Sequence, residues 1–140
     1  MISMNGLHKS YSSEIDKLSN ATKYKLIKSN ITNNITLKDK GIYALYDKDK
    51  LIYIGQAGGN IKIDHNSKHL LRERLLQYTR CKDTGTKNFK KYLEEKTVTI
   101  DDIKFSFITI NDCRLIKIIE LVMIDYFNVG KEKSTILINK

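Results

Sequence analysis

The spacing of apolar and polar positions changes several times along this chain, and each change marks an element. Around residues 9 to 29, Tyr11, Ile15, Leu18, Leu26 and Ile27 recur at partly helical spacing, which predicts an amphipathic helix. Residues 29 to 40 carry four Asn or Asp residues without a helical period and read as a connector. The runs Ile42-Tyr43-Ala44-Leu45-Tyr46 and Leu51-Ile52-Tyr53-Ile54 are then rich in β-branched and aromatic residues, and Asp47-Lys48-Asp49-Lys50 between them is polar enough to turn, so a β-hairpin is expected. Gln56-Ala57-Gly58-Gly59-Asn60 reads as a loop, and a helix is expected to start near Asn66 or Ser67 as its cap. A further helix over residues 87 to 95 turns Phe89 and Leu93 inward, and Ile103-Lys104-Phe105-Ser106-Phe107 alternates as a strand. Asp112 caps a long apolar helix that runs through Leu115 to Ile124. The order β-β-α-α-β-α after an N-terminal helix predicts an α/β fold, an α+β sandwich with a small antiparallel three-stranded sheet flanked by helices.

Length makes this one domain: residues 1–40 form a helical extension packed on or flanking a core of residues 41–140. Hydrophobic content of 41% with 29% charged residues is that of an ordinary globular protein, which shifts attention from composition to pattern. No run is long and apolar enough to cross a bilayer, and Met1-Ile2-Ser3-Met4-Asn5 lacks the features of a secretion signal, so a cytoplasmic location without a membrane partner is expected. Cys81 and Cys113 form no C-x-x-C pair and read as small fillers rather than a zinc or disulfide framework. A net charge of +9 favours an acidic partner, nucleic acid being the commonest. Between residues 68 and 96 the excess is concentrated, with Lys68, Arg72, Arg74, Arg80, Lys82, Lys87, Lys90, Lys91 and Lys96 against Glu73, Asp83, Glu94 and Glu95.

Several residues stand out by position. Tyr43 closes the tripeptide Gly41-Ile42-Tyr43, and Tyr53 opens Tyr53-Ile54-Gly55; side chains alternate along strands, so the two phenols project toward one face if the register suits. Taken alone, they are ordinary strand aromatics. Arg74 lies in Leu71-Arg72-Glu73-Arg74-Leu75-Leu76-Gln77-Tyr78, where Tyr78, four residues on, shares its helix face and Arg72 points elsewhere. Glu120 interrupts an apolar helix at a position that continues Arg114 and Lys117 at i, i+3 spacing, which by itself describes a solvent stripe. His65 and His69, with Asp64, have spacing suited to zinc on a helix, but they read better as a loop and helix start.

The two tripeptides, followed by Arg74 with Tyr78 and by Glu120 in the same order, resemble the GIY-YIG nuclease family over roughly residues 37 to 139. The resemblance implies a divalent-metal-dependent endonuclease that hydrolyses DNA phosphodiester bonds, restriction-, repair- or homing-like, acting on double-stranded DNA and with room for a homodimer. It implies Tyr43 as general base, Tyr53 orienting water or phosphate, Arg74 binding phosphate and Glu120 as the ligand of Mg²⁺ or Mn²⁺. A hard carboxylate suits such an ion, which keeps several waters. The expected nucleic-acid contacts are Arg72, Arg74, Tyr78, Lys87, Lys90 and Lys91. Because a free phenol has a pKa of about 10, Tyr43 needs a nearby cation to become a base, and Arg74, Lys62, His65 and His69 are open candidates. The asparagine that ends the family pattern has no match in place: Asn128 comes too early and Asn139 too late. Lys62, His69 and Asn139 are therefore only accessory candidates, and the alternative is a catalytically attenuated nucleic-acid-binding module of the same fold.

Overall fold

The computed structural model describes residues 3–59, 70–80 and 86–128 of the chain. Its elements run α1 (Met4–Ser10), α2 (Ser12–Ser19), β1 (Tyr24–Lys25), α3 (Lys28–Asn34), β2 (Gly41–Asp47), β3 (Lys50–Ala57), α4 (Leu71–Arg80), α5 (Lys87–Glu95), β4 (Ile103–Thr109) and α6 (Cys113–Tyr126). Strands β2 and β3 form the hairpin, and all pairings are antiparallel in the order β1-β4-β2-β3.

Strand β2 is buried at every position but its last, so both faces of the sheet must be covered, and they are. On one face Tyr43, Leu45 and Phe105 pack with Ile31 of α3, Leu71, Leu75 and Tyr78 of α4, and Phe89 and Tyr92 of α5. On the other face Ile42, Ala44, Ile54 and Ile108 pack with Ile15 and Leu18 of α2 and with Ile116, Ile119, Val122 and Met123 of α6. This explains why the strand carries a continuous apolar run where a half-exposed strand would alternate. Strand β3 is the sheet's edge, and α4 and α6 approach it from opposite faces.

Three expectations are corrected. The sheet has four strands rather than three, because Tyr24 and Lys25 pair with Phe105 and Lys104, and Leu26 N–H donates to the Ile103 carbonyl at 3.0 Å. The single helix expected over residues 9 to 29 is two short helices that meet at Tyr11, which caps α1 and precedes α2. Leu26 and Ile27 belong to the extended stretch and the start of α3, so their apparent helical spacing joined two different elements. The connector expected over residues 29 to 40 contains α3: Ile31 is fully buried, and the Asn34 side chain donates to the Asn30 carbonyl at 2.7 Å. The expected helix start near residue 66 lies outside the described residues.

Candidate active site

The hairpin register sets the first part of the site. Tyr43 pairs with Gly55 and Leu45 with Tyr53, which brings the Tyr43 and Tyr53 rings to one face with centroids 5.8 Å apart. Gly55 is required by packing: a Cβ there would collide with the phenol end of Tyr43 and with the Tyr53 ring. Gly41 meets a different demand. It sits at φ +152° between two strands, and a Cβ would strike the Ile108 carbonyl. Both tripeptides thus contain a glycine where neighbouring atoms occupy the Cβ position.

Helix α4 adds Tyr78, whose hydroxyl is 2.8 Å from that of Tyr43, with ring centroids 5.8 Å from Tyr43 and 6.2 Å from Tyr53. Phe89 of α5 closes this triangle, standing edge-on to Tyr78 at 5.2 Å. Tyr78, expected among the nucleic-acid contacts, is 2% exposed. Its hydroxyl is engaged inside the protein and holds Tyr43. Tyr43 itself is fully buried, while Tyr53 is half-buried and lies at the rim.

Arg74, one turn before Tyr78, is half-buried and lies within hydrogen-bonding reach of the Tyr43 phenol. Gln77, itself buried, accepts from Arg74 Nη1 at 3.4 Å and steadies it, a part that sequence reasoning did not assign although the i, i+3 spacing was there to be read. Burial acts against the guanidinium charge, but the phenols of Tyr43, Tyr78 and Tyr53 outweigh it and hold the arginine above its usual range. The converse effect on Tyr43 is smaller. Burial, then the neighbouring Tyr78 and Tyr53, push its phenol well above the ordinary tyrosine range, and Arg74 pulls only partly the other way. Tyr78 is raised as well, chiefly by burial.

Glu120 comes from α6 on the opposite face, yet it is near enough for the Arg74 charge to act on it. Burial raises its carboxyl to about 7, opposed by Lys117 one turn earlier and by Arg74. It is half-buried and has no hydrogen bond or ion pair with any of the described residues. A partly desolvated carboxylate without a donor is short of positive charge, and a hard divalent cation fits that need. The described residues contain no group of three or more His, Cys, Asp or Glu side chains that could form a cage, so Glu120 alone would hold an Mg²⁺ or Mn²⁺ that keeps most of its waters. Lys117 also lays its stem against Gly59, whose N–H donates to the Gln56 side chain at 3.0 Å, so this lysine belongs to the rim of the site.

The remaining expected contacts divide. Lys87, Lys90 and Lys91 are exposed along α5, where Lys91 lies 3.8 Å from Glu95. Arg72 does not join Arg74 and instead lines a groove beside α3. Lys62, His69 and Asn139, like His65, lie outside the described residues. None of the helices among the described residues is long and apolar enough to cross a membrane. No protein-family model matches the chain, and no curated protein matches it significantly.

Proposed function

We propose that the chain is a divalent-metal-dependent endonuclease that hydrolyses DNA phosphodiester bonds, in the manner of the GIY-YIG nucleases its motifs resemble. The observation that carries this reading is the convergence of Tyr43, Tyr53, Tyr78 and Arg74 on one side of the β3 edge, with Glu120 brought within electrostatic reach from the other side. In this reading Arg74 binds the scissile phosphate, because its fixed charge and planar donor fork suit phosphate oxygens. Glu120 holds the cation. When bound, that cation neutralises charge building on phosphorus and makes a coordinated water easier to deprotonate. Tyr53, at the rim, orients water or phosphate through its hydroxyl. Tyr43 takes the proton from the attacking water as the oxygen–phosphorus bond forms and the ester oxygen departs with the electron pair of the broken bond. Tyr43 must first be a phenolate and be uncovered, and Arg74 already acts in the first direction. Tyr78 keeps the ring in place meanwhile.

The full enclosure of Tyr43 favours a second reading, an attenuated module that binds nucleic acid without cutting it. One preparation separates the two. The nuclease reading expects supercoiled plasmid to be nicked in Mg²⁺ or Mn²⁺ and not in EDTA, with Glu120→Gln nearly inactive while its DNA affinity in EDTA holds or rises, since an amide does not repel phosphate. Unchanged nicking by Glu120→Gln would overturn the metal assignment, and salt-sensitive binding without nicking by the wild type would establish the module.

A further inference from the structure

An open groove lies between the C-terminal end of α3, the connector that follows it and Arg72 in the first turn of α4. Its parts are chemically mixed in a definite way. Arg72 is half-buried and, among the described residues, has neither a hydrogen bond nor an ion pair. Lys38 adds a second, exposed cation to the lining, and the exposed Asn33 lines the groove as well. Asp39, the nearest opposing charge in sequence, is turned into the connector, where its carboxylate accepts the Thr36 N–H at 2.8 Å. Leu37, which also lines the groove, is 73% exposed, more than any other large hydrophobic residue among those described.

Leu37 thus stands out in water in the same groove as two cations and an amide. The same set matches a nucleic acid, whose phosphates take cations, whose base edges take carboxamides and whose base steps admit apolar wedges. We propose that this groove is a second DNA contact, in which Arg72 and Lys38 hold backbone phosphates, Asn33 meets base edges and Leu37 enters the minor groove as a wedge. This inference rests on the nuclease reading and adds to it the element that chooses and bends the target. The placement is consistent with one duplex serving both sites. Leu71 and Leu75 of α4 face the core, and Arg72 and Arg74 leave the helix about 200° apart, one on each flank of that buried stripe. A duplex lying across α4 therefore meets Arg72 on one side and Arg74 on the other. Glu73 on the same helix is paired with Arg80 at 2.7 Å, which partly offsets its repulsion.

The test measures binding of the full chain to a fluorescein-labelled duplex of mixed sequence in EDTA, over a series of salt concentrations. Arg72→Ala and Lys38→Glu should each weaken binding roughly fivefold to tenfold and flatten the dependence of log affinity on log salt by about 0.9 for each phosphate lost. Lys38 is exposed, so that variant carries the test even if Arg72→Ala fails to fold. In a duplex labelled at both ends, wild-type protein should raise energy transfer by bending the DNA, and Leu37→Ser should abolish the rise while affecting the salt slope little. Wild-type affinity and slope in both charge variants, with Lys90→Ala weakened, would overturn the groove and leave the nuclease reading standing. No bending by the wild type would overturn the wedge. Absence of any salt-sensitive affinity in the wild type would overturn the inference and the nuclease reading together.

Discussion

Tyr43 is held by its neighbours in a state unlike the one its proposed role needs. Its hydroxyl is enclosed and bonded to Tyr78 at 2.8 Å, and burial favours the neutral phenol. Tyr43→Phe keeps the ring between Gly55, Tyr53 and Tyr78 and deletes only the hydroxyl, so folding should lose about 1 kcal/mol for one buried hydrogen bond. Nicking should fall by roughly a hundredfold or more, as expected for losing a general base, and a wild-type rate in this variant would place the base elsewhere. Glu120 gives a second outcome at the same scale. Its carboxyl is raised from an ordinary value of 4.5 to about 7, so between those values the folded protein holds a proton that the unfolded chain has released. The contribution of this group to stability is therefore full below the ordinary value and declines as pH rises through about 7. Glu120→Gln carries no such proton. Without metal, its thermal midpoint should gain on that of the wild type as pH is raised from about 5 to about 8, and Mg²⁺ should recover the difference for the wild type only. A constant difference across that range would mean that the carboxyl titrates normally.

Helix α6 carries Glu120 to the site, and its start is defined by one side chain. Asp112 accepts from the Arg114 N–H at 3.0 Å and also pairs with the Arg114 guanidinium at 3.0 Å. Asp112→Ala removes both and should lower the thermal midpoint by roughly 3–6 °C while leaving nicking at room temperature intact, because Ile116, Ile119 and Met123 still anchor the helix. A loss of nicking at unchanged midpoint would show that the cap acts on Glu120 directly. This cap was legible from sequence, as were the hairpin, β4, α5 and α6, since each has a local signal: a period, a turn or a capping residue. The elements that were not legible lack one. Strand β1 is two residues long and exists because Phe105 and Lys104 lie beside it, a fact about β4 rather than about Tyr24 and Lys25. Helix α3 shows only Ile31 to the core, and its Ser, Asn and Thr residues are those that elsewhere make turns. Of the proposed site, the resemblance named Tyr43, Tyr53, Arg74 and Glu120 as candidates, but not their surroundings. That Tyr78 is enclosed and Gln77 steadies Arg74 depends on how α4 and α5 close over the sheet, which no local pattern records.

At the scale of the whole molecule, a net charge of +9 gives any duplex a favourable approach before a specific contact forms. Much of that attraction carries no positional information. Lys87, Lys90 and Lys91 stand exposed along α5 and can follow a phosphate backbone, whereas Arg74 is half-buried, steadied by Gln77 and directed at Tyr43. The two kinds of cation should therefore separate in experiment. Lys90→Ala and Lys91→Ala should each weaken binding modestly and reduce the salt slope by about 0.9, with the nicking rate at saturating protein close to that of the wild type. Arg74→Ala should do the reverse. Many other cations would still hold the backbone, so affinity should fall little, but the charge proposed to meet the scissile phosphate is gone and nicking at saturation should drop by roughly a hundredfold or more. Saturating conditions are essential, because below saturation a binding defect lowers the observed rate as well. Arg74→Lys sharpens the comparison: it restores the charge without the planar fork, and it should recover affinity fully and nicking only in part. If all three alanine variants lose nicking equally at saturation, Arg74 is one surface charge among many, and the site at the β3 edge has no special claim on the phosphate.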